Sequence, residues 1–238
     1  MILPGFPTPV VGRGTNPPSL VSVLTEVAFP NHNNTQVSSM VTWGSGFPNR
    51  ELWVAVVSGG SNSEDAFRAG IQSVRIGGSV AELVALRQGI VGTNLFSICA
   101  GFYRISQDTW TGALVEINTE NAWASAASDT HIHTGFVPFT VENSSSLYDQ
   151  EGWASSSGSS TGTLGTKDGF AALISCSQNN SSGAAPFGWT DGAMWDIGTS
   201  EWSSFGYVNP TTGANLTAQK HTGGGSSPYA YCAVSMSG

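Results

Sequence analysis

The chain has 238 residues, of which 8 are Lys or Arg, 16 are Asp or Glu and 30 are Gly, with a net charge of −8 at pH 7. Charged residues make up only 10%, against roughly a quarter in ordinary soluble chains. The sequence is therefore poor in groups that move protons or phosphates, and the expectation is a structural or binding protein, not an enzyme. The acidic balance repels phosphate backbones, which sets nucleic-acid binding aside.

Residues 1–20 read as an extended arm. Pro4, Pro7, Pro9, Pro17 and Pro18 fix φ and remove backbone donors, so neither a helix nor a central strand is possible there. The apolar residues Ile2, Leu3, Phe6, Val10 and Val11 suit an arm laid on a surface, either its own domain or a neighbouring subunit. No basic region precedes them and the prolines interrupt the apolar run, so a secretory leader is not expected. No run reaches the ~18 apolar residues of a membrane helix.

From residue 21 onward, short strands alternate with turn chemistry. Val21–Phe29 ends at Pro30-Asn31, and Gln36–Trp43 ends in Gly44-Ser45-Gly46. Glu51–Val57, with the nearly continuous apolar run L-W-V-A-V-V, reads as a strand buried on both faces. Ser73–Ile76, Gly77-Gly78 and Val80–Leu86 form a tight hairpin signal. Strands are further expected over Asn94–Ile105, Ala113–Asn118, Ala122–Ala127, Gly135–Val141, Lys167–Ser177, Ala193–Ile197, Trp202–Val208 and Tyr229–Met236. Ser155–Gly162 reads as loop, and Glu64–Ile71 is the best helix candidate, cut short by Gly70. This many short strands without βαβ alternation predict an all-β fold. Its expected form is a jelly-roll-like β-sandwich of two packed sheets, one domain over 21–238 behind the Pro-rich arm of 1–20.

Cys99, Cys176 and Cys232 lie in apolar strand-like runs. Their odd number and wide spacing predict buried free thiols, suited to a reducing cytoplasm. His131 and His133, with Asp129 on the same parity, share a strand face, but a zinc site needs further ligands from elsewhere. No metal site is expected, and no cofactor. Loop Asp and Asn could ligate Ca²⁺, yet no EF-hand spacing exists. Gly158 to Gly162 matches G-x-S-x-G inside a Ser/Gly tract, without the strand–turn–helix that the motif's chemistry needs. No catalytic residue is assigned.

Acids and tryptophans lie together in the second half: Glu151 near Trp153, Asp191 near Trp189, Asp196 beside Trp195 and Glu201 beside Trp202. Such pairs build glycan grooves or, less often, glycosidase sites. Asp149 and Glu151 are the closest same-face pair, in a polar stretch that reads as a turn. Trp153, Trp189, Trp195 and Trp202 are the candidate sugar platforms. The plain alternative keeps the tryptophans in the core and the acids in solvated turns.

Five stretches taken in order carry a resemblance: R-E-L-W-V-A-V-V-S-G-G (50–60), S-V-R-I-G-G-S-V-A-E-L-V-A (73–85), S-I-C-A-G-F-Y-R-I (97–105), G-A-L-V-E-I-N (112–118) and A-Y-C-A-V-S-M-S (230–237). Together they resemble β-sandwich virion proteins of tailed bacteriophages, of the head decoration (cement) or tail-accessory type. The resemblance covers about a third of the chain and lies in turns and core, so it carries no functional residues across. It implies a non-enzymatic virion protein assembled in the host cytoplasm, most simply a capsid decoration protein on the outer surface of the major capsid protein lattice. Association as a homo-oligomer, with a trimer favoured, and contact with other virion proteins follow from it, with no nucleic acid or membrane partner. The alternative is a tail-associated or lectin-like receptor- or glycan-binding domain.

Overall fold

The computed structural model describes residues 16–32, 36–61, 70–91, 96–119, 131–143, 146–155, 160–167, 169–178, 188–198, 201–209, 215–219 and 229–237. Seventeen strands and no helix occur among them, and every pairing is antiparallel. In the first part of the chain these are β1 (Ser19–Val23), β2 (Val27–His32), β3 (Gln36–Thr42), β4 (Arg50–Ser61), β5 (Ile71–Ile76), β6 (Ser79–Val80), β7 (Glu82–Val91), β8 (Phe96–Ser106), β9 (Gly112–Thr119) and β10 (His131–Glu142). After Asn143 come β11 (Ser146–Ser155), β12 (Thr161–Gly165), β13 (Gly169–Gln178), β14 (Thr190–Gly198), β15 (Glu201–Val208), β16 (Asn215–Gln219) and β17 (Tyr229–Ser237).

The strands form four sheets. A first outer sheet has the order β3-β9-β5-β6, and a first inner sheet has β1-β10-β4-β8-β7, with β2 also on β10. The second inner sheet has the order β11-β17-β13-β15-β14, and β12 and β16 make a second outer sheet. The sheets divide by sequence: residues 19–142 build the first outer and inner pair, and residues 146–237 build the second. Within the first half the chain crosses between the two sheets at β2–β3, β3–β4, β4–β5, β6–β7, β8–β9 and β9–β10.

Side-chain alternation stacks these sheets. On β4, Leu52, Val54 and Val56 face the first outer sheet, in a core shared with Val37, Val41, Val74, Ile76, Val115 and Ile117. Trp53, Ala55 and Val57 face the other way, into a core shared with Phe170, Ile174, Phe205, Cys232 and Val234 of the second inner sheet. On β17, Ala230, Cys232 and Val234 enter that middle core, whereas Tyr229, Tyr231 and Ala233 pack under Leu164, Leu216 and Ala218 of the second outer sheet. The all-β sandwich is thus present, but with four layers where two were expected. The reason is visible in the apolar runs: β4, β13 and β17 are apolar at odd and even positions alike, and a strand without a polar face must be covered twice.

The middle core is held by aromatic contacts between the two inner sheets. Trp53 meets Phe139 at 5.6 Å and Phe170 at 5.5 Å, and Phe139 meets Phe205 at 5.1 Å, all within the favourable range for ring pairs. Polar ties flank it. Leu20 N–H donates to Asn209 Oδ1 at 2.9 Å, and Asn209 Nδ2 donates back to Leu20 O at 3.4 Å. On β7, Arg87 Nε donates to Gly152 O of β11 at 3.3 Å.

Several sequence expectations shift in detail. Val21–Phe29 is two strands, β1 and β2, separated at Leu24–Glu26. The Gly77-Gly78 hairpin forms, with φ of 57° and 80°, but only Arg75–Val80 and Ile76–Ser79 pair. Beyond Ala81 the strand leaves for the inner sheet and pairs with β8. Ile71, placed in the helix candidate, belongs to β5, and the rest of that segment except Gly70 lies outside the described residues, as does Ala122–Ala127. Thr161 and Gly162, read as loop, open β12. The arm residues Ile2, Leu3, Phe6, Val10 and Val11 also lie outside the described residues. Ser19 and Leu20, counted in the arm, already pair with Glu142 and Val141 of β10.

Candidate functional site

The acids and tryptophans of the second half sort by strand. Asp149 and Glu151, expected in a turn, lie in β11, an edge strand of the second inner sheet. A bulge between Leu147 and Asp149 breaks the alternation that would have marked the strand in sequence. Both carboxylates turn toward β12. Asp149 Oδ2 accepts Gly165 N–H at 2.7 Å, and its Oδ1 accepts Gln150 N–H at 2.8 Å. Glu151 Oε1 accepts Gly152 N–H at 2.9 Å, and Gly162 of β12 lies so close to Glu151 that a Cβ there would overlap its side chain.

Trp153 follows on the same face and is 52% exposed. Trp189 is not a surface platform: it is buried under the second outer sheet, and its Nε1–H donates to Thr217 O of β16 at 2.8 Å. Trp195 and Trp202 sit in β14 and β15, in register with Ser203 and Ser177; their side chains lie outside the described residues. Of the candidate platform residues whose side chains are described, Trp153 is exposed and Trp189 is not.

Cross-strand rows show what Trp153 stands among. One row runs Trp153, Tyr231, Ser175, Ser204 across β11, β17, β13 and β15, and the next runs Ser155, Tyr229, Ser177, Trp202. Tyr229 and Tyr231 stack with ring centroids 6.4 Å apart and planes 2° from parallel. Ser160 N–H donates to the Tyr229 hydroxyl at 2.7 Å. Burial raises the pKa of both tyrosines; hydrogen bonds with Ser160 and Gly162 oppose this at Tyr231, where the nearby Glu151 charge adds to it. The buried phenols thus hold Ser160 and Gly162 at the start of the second outer sheet. Sequence reasoning missed Tyr229 and Tyr231. Their signal was the alternation of Tyr229, Ala230, Tyr231 and Cys232, with large polar-tipped rings on one face and small residues on the other.

Glu151 and Asp191 occupy one row at opposite edges of the sheet, as Ala233, Leu173 and Gly206 lie between them. Four strand spacings put their backbones about 19 Å apart, beyond the roughly 5–10 Å of a glycosidase pair. Of the histidine pair, His133 is buried in β10 and the His131 side chain lies outside the described residues. Among the described residues, no group of three or more His, Cys, Asp or Glu is placed to hold a metal ion.

Comparison of the chain with protein-family models, with curated protein sequences and with solved structures gave no match.

Proposed function

We propose that the protein is a non-enzymatic virion structural protein of a tailed bacteriophage, a decoration protein that seats on the outer surface of the major capsid protein lattice. The reading is carried by where the resembling stretches fall. Residues 50–60 are β4, 73–85 span β5 to β7, 97–105 are β8, 112–118 are β9 and 230–237 are β17. All of them belong to the stacked scaffold, so the resemblance is one of architecture, consistent with a load-carrying role.

Two further features support it. Four stacked sheets whose strands β4, β13 and β17 are buried on both faces make a stiff slab, since packed cores deform little. The root of the N-terminal segment is pinned to both halves. Ser19 Oγ donates to Glu142 Oε1 at 2.8 Å, Leu20 bonds Asn209, and Pro18 packs against the position of Gly169. A segment leaving such a root transmits force to the whole sandwich. Binding to the lattice as a homo-oligomer, with a trimer favoured, belongs to this proposal, as does assembly in the host cytoplasm.

The test is co-sedimentation of the purified protein with undecorated phage heads, beside tail-only particles. Saturable binding to heads is the expected result. Binding to tails alone moves the protein to a tail-accessory role, and binding to neither overturns the virion reading.

A further inference from the structure

We propose that Trp153 and Glu151 form a binding subsite for a neutral or amino-bearing sugar residue, a function separate from lattice binding. Trp153 is the most exposed tryptophan among the described residues. Among the described residues, the nearest large exposed hydrophobics on its strand are Tyr148 and Leu147, about 17 and about 20 Å back along β11. The Glu151 carboxylate lies two residues away on the same face, and Ser160, whose N–H donates to Tyr229, precedes the strand β12 that packs on Glu151. An exposed ring with a carboxylate on the same strand face fits a ligand that has an apolar face and hydrogen-bonding edges. A pyranose ring, with C–H groups on its faces and hydroxyls around its edge, is such a ligand.

The geometry is prepared for this use. Tyr231 lies directly across from Trp153 and is fully buried, and Tyr229 stacks on it. These rings back the strand that presents Trp153, and their hydroxyls fix Ser160 and Gly162. Glu151 Oε1 is taken by Gly152 N–H; in the proposed subsite Oε2 would accept from a sugar hydroxyl or ammonium. Gly162 packs on the Glu151 side chain, so the carboxylate is held in place before any ligand arrives, which limits the ordering cost of binding. Two carboxylates on this face, in a chain of net charge −8, disfavour an anionic sugar.

The test uses the full chain and three defined probes: cellohexaose (neutral), chitosan hexaose (amino-bearing) and a hexameric uronate (anionic). Binding is read by calorimetry and by tryptophan fluorescence. Saturable binding of the neutral or the amino-bearing probe is expected, with none to the uronate. Trp153→Ala should weaken it at least about tenfold, and Trp153→Phe should restore part of the loss. Glu151→Gln should weaken the amino-bearing probe most. An unchanged thermal midpoint in Trp153→Ala separates loss of the site from loss of the fold. Binding to none of the probes overturns the proposal, as does equal binding by Trp153→Ala, or a change in oligomeric state as the only effect of that variant. Head binding by Trp153→Ala should match the parent chain, so failure here and failure of the virion reading are separately visible.

Discussion

Trp53 Nε1–H donates to Glu51 Oε2 at 2.9 Å, two residues earlier on the same strand face. Both residues are buried, and the Arg104 guanidinium ties the pair to the surface. Arg104 lies 3.5 Å from Glu51 Oε2, bonds both oxygens of Glu82 and sits over the Trp53 ring at 5.5 Å. The carboxylate therefore satisfies the one polar atom of the largest ring in the middle core. Glu51→Leu should cost about 1–3 kcal/mol, because it leaves a buried N–H without its acceptor. Glu51→Gln, which keeps an acceptor oxygen, should cost less. Trp53→Ala should cost roughly 3–5 kcal/mol. Chemical denaturation of the three variants gives the ranking, and an equal loss in Leu and Gln would refute the role given to the acceptor.

Arg50 is fully buried and grips two loops through backbone carbonyls. Its Nε donates to Gln107 O at 2.9 Å, Nη1 to Ser45 O at 3.1 Å, and Nη2 to Trp110 O. Burial pushes its pKa down, opposed by Asp108, whose Oδ1 also accepts Arg50 N–H at 3.1 Å. A lysine cannot span three diverging carbonyls. Arg50→Lys should destabilise by about 2–3 kcal/mol, and hydrogen exchange should rise first at residues 43–49 and 106–111.

Gly77 and Gly78 both have positive φ, but their surroundings differ. A Cβ on Gly77 would enter the Trp110 ring, whereas one on Gly78 would meet nothing within 4 Å. Gly78→Ala should cost only the left-handed strain, about 1–2 kcal/mol. Gly77→Ala adds overpacking of a further ~1–3 kcal/mol. Thermal midpoints should fall in that order; equal midpoints would show that Trp110 yields freely.

Cys99 and Cys232 are buried free thiols whose pKa is pushed up to about 12 by burial. Unfolded thiols ionise near pH 8.5. Above that pH the unfolded chain releases protons that the folded chain retains, so stability falls as pH rises toward 12. The contribution is complete below about pH 8.5. Native protein should resist alkylation at pH 8 and react fully in denaturant, and the denaturation midpoint should decline between pH 9 and 12. Ready alkylation of folded protein would contradict the burial.

The N-terminal segment is best cut at residue 15. Removing 1–15 leaves Pro18, Ser19 and β1 intact, so the thermal midpoint should hold while head binding is lost. A cut through Ser19 also removes its bond to Glu142 and the packing at Gly169, and should lower the midpoint. Retained head binding after removal of 1–15 would take the anchoring role from this segment.

The doubly buried strands were the legible part of the fold. The run Leu52–Val57 announces a strand without a solvent face and holds the centre of the first inner sheet; the run at 229–236 announces a strand, and it lies inside the second inner sheet, buried on both faces. β11 was not legible, because a bulge at Tyr148 and two acids hide its period. Those acids look solvated in sequence; in the fold, backbone N–H groups of Gly165 and Gly152 receive them. Nor could sequence separate Trp153 from Trp189. Burial of Trp189 depends on β16, which reaches the second outer sheet only by pairing with β12, about fifty residues earlier. Contacts at that separation leave no local periodicity to read.

The position of β17 also sets an order of events at the ribosome. It is the last strand synthesised among the described residues, yet it lies between β11 and β13. The first two sheets draw all their strands from residues 19–142 and can pair while the remainder is still being made. The second inner sheet stays split until residue 237 has left the exit tunnel. At about 5–20 residues per second, the first half waits some seconds with Trp53, Phe102 and Phe139 uncovered. That interval is when nascent chains of this protein are most exposed to aggregation, and when slowing translation of the second half would lower the yield of soluble product.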